Sequence, residues 1–138
     1  MAKLNYIHSE ELHDNWHKYP ITYQMGNIGS EVSRSLKWTK KGNKKRAATA
    51  IDRALELFDF TIEANIKNPP RLREILIARE EFCDYFFNGN SWHTDPSKMQ
   101  QYYDGFTMMD RLFQQKNANT TFTHMWLPGL DSNQQPRS

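Results

Sequence analysis

Apolar residues recur at three- and four-residue intervals along most of this chain, and the repeat is broken at four places by proline, glycine or asparagine. That spacing is the signature of amphipathic helices. The first long helix is predicted from about Thr22 to Lys41, with Met25, Ile28, Val32 and Leu36 as its stripe and Gly29 allowing a close neighbour; it stops at Gly42. Asn43 caps the second, which runs to about Ile66 through Ala47, Ala50, Ile51, Ala54, Leu55, Phe58 and Ile62. Asn68-Pro69-Pro70 opens the third, from Pro70 to Phe87, since proline is tolerated in a first helical turn. Asn88-Gly89-Asn90 ends it. Asp95-Pro96 launches a fourth to about Gln115, with Met99, Tyr102, Tyr103, Phe106 and Phe113 as its stripe.

The expected fold is all-α: an antiparallel up-down four-helix bundle over residues 21–115, because short connections favour antiparallel neighbours. Residues 1–20 form a polar lead-in with one short helix from Ser9 to about Lys18. Residues 116–138 lose the repeat and are expected to form an irregular, flexible tail.

The third helix carries an anomaly. Leu72, Ile75, Leu76, Phe82, Cys83 and Phe86 share one face, and Arg79 lies near the middle of it. A buried guanidinium without a partner costs several kcal/mol, so a structural ion pair is expected, with Glu31 and Asp59 on the first two helices as its acceptors. Two further departures concern the flanks. Asn27, Glu31, Arg34 and Trp38 line the side of the first helix away from its stripe, and Phe60 faces outward among the acids Asp52, Glu56, Asp59 and Glu63 of the second. The second reads as a contact surface; the first reads either as a contact surface or as a flank buried by a second neighbour in the bundle.

Composition adds little to this picture, but the distribution of charge adds much. The 138 residues carry a net charge of only +2, yet Lys37, Lys40, Lys41, Lys44, Lys45 and Arg46 crowd into ten residues around Trp38. Lys44, Lys45 and Arg46 occupy the amide end of a helix, where the macrodipole favours anions. An anionic partner such as a nucleic-acid backbone would relieve that arrangement, and Trp38 offers a base a stacking surface. The single cysteine, Cys83, is expected to be buried and suits a reducing cytoplasm. No apolar run approaches the roughly 20 residues that span a bilayer, and the first residues do not read as a signal peptide. A cytoplasmic protein that forms homo-oligomers, with no membrane contact, is expected.

The chemistry of cofactors, metals and nucleophiles finds little footing. Six scattered glycines form no phosphate loop, and no histidine is placed near Cys83 by sequence logic. Glu10, His13, Asp14 and His17 share a face of the short helix but lack the His-Glu-x-x-His arrangement, and read as a solvated face. No catalytic residue, cofactor or metal is assigned. The sharpest enzymatic pattern is Glu56-x-x-Asp59 followed by Glu81-x-x-Asp84 on consecutive helices. It resembles the all-α nucleotide pyrophosphohydrolases of the MazG type, which use Glu-x-x-Glu and then Glu-x-x-Asp; the resemblance implies Mg²⁺-dependent pyrophosphate chemistry as the alternative reading.

Two wider resemblances complete the reading. Asn27-Ile28-Gly29-Ser30-Glu31-Val32 with Arg34, Leu36 and Trp38, then Arg53-Ala54-Leu55-Glu56-Leu57 with Asp59, then Leu72-Arg73-Glu74, Arg79-Glu80-Glu81 and Asp84-Tyr85-Phe86, resemble a family of small, uncharacterised bacterial and archaeal four-helix proteins. More distantly, the helix, basic turn and Ala-rich helix resemble HEPN domains, many of which bind or cleave RNA; their Arg-x4-6-His is missing here, so the resemblance implies RNA contact without cleavage. The last run, Met125-Trp126-Leu127-Pro128-Gly129-Leu130-Asp131-Ser132-Asn133, resembles a peptide translated across the opposite strand of a tRNA gene. The sequence therefore reads as a non-catalytic helical binding protein whose working surface is the basic turn.

Overall fold

The computed structural model describes residues 5–126, with side chains to residue 116. Five α-helices follow one another: α1 Glu10–Asn15, α2 Ile21–Lys40, α3 Lys44–Ala64, α4 Pro69–Phe87 and α5 Pro96–Trp126, with a 3₁₀ turn at Trp16–Lys18 after α1. The four long ones form an all-α helical bundle.

Each boundary has a local cause. Gly42, at φ +76°, supplies the left-handed residue that reverses the chain between α2 and α3. Asn43 accepts from the Arg46 amide and Asn68 from the Arg71 amide, satisfying first-turn donors that have no partner within their helices. Asp95 does the same for Ser97 at the start of α5. Gly89 and Asn90, both at positive φ, turn the chain after α4.

The register of contacts makes every neighbouring pair antiparallel. Gly26 and Gly29 of α2 lie against Thr107 and Tyr103 of α5, while Gln100 reaches the Gly29 carbonyl and Thr22 reaches Asp110. Rising numbers on α2 thus meet falling numbers on α5. Glu74 of α4 accepts from Tyr102 of α5, and Glu81, further along α4, accepts from Thr94 just before α5, again in opposite directions. A β-carbon on Gly29 would overlap the Tyr103 side chain, so the glycine sets how closely α2 and α5 approach.

The core contains Met25, Ile28, Val32, Ala54, Leu57, Phe58, Ile75, Phe82, Met99 and Tyr103. Phe58 stands at its centre, in ring contact with Phe82 of α4 and Tyr103 of α5. Leu57, absent from the predicted stripe, is buried, whereas Leu55 and Ile62 are only partly covered.

Several expectations require correction. Phe60 faces the interior of a second cluster, because the lead-in folds back as a strap over α3 and surrounds it with Tyr6, His8, His13 and Trp16. Leu76 is exposed, since Ile75, Ala78 and Phe82 set the inward direction of α4 and Leu76 lies outside it. Cys83 is only half-buried, with an Arg79 nitrogen 3.8 Å from its sulfur. Tyr102 and Phe113 are exposed on α5. That helix also continues past Gln115 to Trp126, because no proline or glycine interrupts the chain before Pro128. The rest of the expected irregular tail, residues 127–138, lies outside the described residues.

The strap is held by a buried polar network as well as by rings. The Trp16 indole donates to Thr61, Gln24 donates to the Trp16 and Tyr19 carbonyls, and Asn65 donates to Gln24. Glu56 accepts the backbone amides of Ile7 and His8 and also meets the His8 imidazole at 2.7 Å. Buried polar groups with such partners avoid the desolvation cost that isolated ones incur.

Candidate nucleic-acid interface

The α2–α3 turn gathers the basic residues around one indole. Lys37, Lys41 and Arg46 lie 5.0, 5.3 and 4.6 Å from the Trp38 ring centroid. Such contacts contribute about 0.5–1 kcal/mol each at exposed sites, enough to hold together side chains that repel one another. Lys40, Lys44 and Lys45 are exposed beside them. Among the described residues, none of these six cations forms an ion pair with a carboxylate. The first turn of α3 contains no acid either, so its amide end and three cations present positive charge in the same direction. Trp38, itself partly exposed, gathers three of these cations around its ring.

The same side of the α2–α3 hairpin carries a second cationic rung. Trp38 meets Arg46, and seven residues further from the turn on both helices Glu31 meets Arg53 at 2.7 Å. Seven residues at 1.5 Å each put the rungs roughly 10 Å apart. Glu31 is buried and also binds Arg34 at 2.7 Å, so one carboxylate positions two guanidinium groups whose other donors face outward. A cavity of about 230 Å³ opens beside them, bounded by His8, Asn27 and Ser30.

The expected ion pair of Arg79 divides accordingly. Asp59 does approach Arg79, at 3.4 Å from its Nε. Glu31 does not, because Arg34 and Arg53 occupy both of its oxygens. The guanidinium is partly exposed and its buried Nε has no hydrogen-bond acceptor, so the contact with Asp59 is an ion pair alone.

The two carboxylate steps are employed separately. Glu56 anchors the strap, Asp59 meets Arg79, and Glu81 accepts from Thr94. Asp84 accepts from Ser91, Asn88 and the Trp92 amide, closing the loop after α4. Burial works against its charge, but those hydrogen bonds outweigh it and hold the Asp84 carboxyl below the ordinary range. Glu56 is likewise held low, by His8 and Ile7 against burial. On the short helix, His13 contacts Asp14 and Glu63 at 3.0 and 3.1 Å, and those hydrogen bonds raise its pKa. Among the described residues, no three His, Cys, Asp or Glu side chains gather with metal-holding geometry.

Sequence reasoning missed Arg53, Gln24, Thr61, Asn65 and the docking of His8. Arg53 was signalled only by its register: it is as far from the turn on α3 as Glu31 is on α2. No helix among the described residues is long and apolar enough to cross a membrane. Compared with protein-family models, curated proteins and solved structures, the chain matches none.

Proposed function

We propose that the protein is a non-catalytic, cytoplasmic helical binding module that contacts the phosphate backbone of nucleic acid through the α2–α3 turn. The supporting observation is the cluster of Lys37, Lys41 and Arg46 on Trp38, next to Lys40, Lys44 and Lys45, at a helix amide end and without carboxylate partners among the described residues. Phosphate contacts position such a complex and read no sequence, so broad preference among strands follows. The distant HEPN-like reading agrees with this surface. The pyrophosphohydrolase alternative has no observation favouring it, since its four carboxylates hold the strap, Arg79, Thr94 and the loop after α4.

The test is anisotropy of a labelled 12-nucleotide RNA and its DNA counterpart at increasing salt. Each phosphate neutralised on a single strand contributes roughly −0.7 to the slope of log K against log salt. The variant Lys44→Ser/Lys45→Ser/Arg46→Ser is expected to weaken binding and to reduce the slope by roughly 2. Absence of binding at roughly 50 mM salt, where electrostatic contacts are strongest, rules the reading out.

A further inference from the structure

Helix α4 presents an apolar face that none of the other described helices covers. Ile75, Ala78 and Phe82 point into the bundle. At 100° per residue the opposite direction falls midway between Leu76 and Ile77, and these are 43% and 52% exposed. Ile77 and Arg73 form a ridge between two shallow grooves. One, about 310 Å³, has the half-exposed Trp92 as its far wall; the other, about 340 Å³, ends on Tyr102.

The charges along this face are arranged symmetrically about that midpoint. Arg73 and Glu80 each lie 3.5 residues from it, about 5 Å along the axis, and both fall within 10° of the outermost direction on an ideal helix. Neither forms an ion pair or a side-chain hydrogen bond among the described residues. An isologous interface requires a surface complementary to itself under a two-fold axis. Rotating α4 by 180° about an axis through the Leu76–Ile77 midpoint brings Arg73 of one copy to Glu80 of the other, twice, with leucine and isoleucine enclosed between the pairs. The two Ile77 side chains then lie against each other across the axis, as do the two Leu76 side chains.

We propose that this face is the interface of an antiparallel two-fold homodimer, centred between Leu76 and Ile77 and flanked by reciprocal Arg73–Glu80 pairs. The inference is independent of the nucleic-acid reading, because α4 carries no part of the basic turn. A single helix pair with flanking aromatics lies at the small end of stable interfaces, so the dimer should dissociate on dilution into the low micromolar range.

Sedimentation equilibrium of the full chain tests it. The wild type is expected at twice the 16.4 kDa chain mass at roughly 100 μM. Ile77→Asp should give a monomer with unchanged far-ultraviolet circular dichroism, since the side chain is half-exposed. Arg73→Glu alone sets two carboxylates against each other at each end, and Glu80→Arg alone sets two guanidiniums there; each should weaken the dimer tenfold or more. Mixing the two single variants in equal amounts should restore a dimer, because each then supplies the charge the other lacks, and so should the double variant Arg73→Glu/Glu80→Arg. Loss in each single variant together with recovery in the double variant singles out the antiparallel pairing, since a parallel one sets like charges together in the wild type and in the double variant alike. A monomeric wild type, a dimer indifferent to both charge reversals, or a mixture that stays monomeric overturns the proposal; a face kept for a different protein would show itself as the first of these.

Discussion

Arg79 and Glu31 have exchanged the roles their positions suggest. The arginine in the middle of an apolar pattern reaches the edge of the bundle and meets Asp59 there, at little electrostatic gain because that carboxylate is largely exposed. The glutamate on an apparently displayed flank is the buried charge, and it is compensated twice, by Arg34 and Arg53. Removing one partner of a buried charge costs more than the pair contributes net, since the remaining group is left desolvated. Asp84 is the clearest single-residue case. Its carboxyl is held low, so its contribution is present above the ordinary value of 3.8 and lost as pH falls through the folded value. Asp84→Asn is therefore expected to lower the melting temperature at pH 6 and to leave it nearly unaltered at the lowest pH where the protein still folds. An equal loss at both pH values would mean that shape, not charge, holds the loop.

At the level of elements, two glycines in helices make opposite predictions. Alanine is better than glycine in a helix by about 1 kcal/mol. At Gly105 nothing lies within 4 Å of the added carbon, so Gly105→Ala should stabilise by about that amount. At Gly29 the carbon would overlap Tyr103, and overpacking costs about 1–3 kcal/mol, so Gly29→Ala should destabilise or at best break even. Urea midpoints of the two variants test the difference in sign; a stabilised Gly29→Ala would show that α2 and α5 can move apart freely. The long helices were legible because their stripes, caps and breakers agree, as at Asn43, Asn68 and Asp95. The lead-in was not, because Tyr6, His8, His13 and Trp16 carry no helical repeat that shows where they dock. The end of α5 was misplaced since asparagine and threonine are weak helix formers but, unlike proline, do not stop a helix.

For the whole molecule, the strap and the loop after α4 set a pH window. Glu56 and Asp84 contribute above their ordinary values of 4.5 and 3.8 and lose that contribution on acidification. His13 behaves oppositely: with its pKa raised by Asp14 and Glu63, its contribution is complete below 6.5 and disappears as pH rises through the folded value. Thermal stability is expected to peak between pH 4.5 and 6.5. The alkaline decline should be reduced in His13→Gln; a melting temperature that rises steadily from pH 5.5 to 8 contradicts this.

The amino-acid order by itself determined the helices, their turns and the basic cluster at Lys37–Arg46, because these depend on residues three or four apart or adjacent in the chain. Tertiary structure decided the rest. Which partner Glu31 takes, what covers Phe60, how the four carboxylates are used and which side of α4 is left uncovered all depend on the angle at which one helix faces another. A repeat that gives a helix its apolar side does not specify that angle when, as on α4, apolar residues occupy both sides.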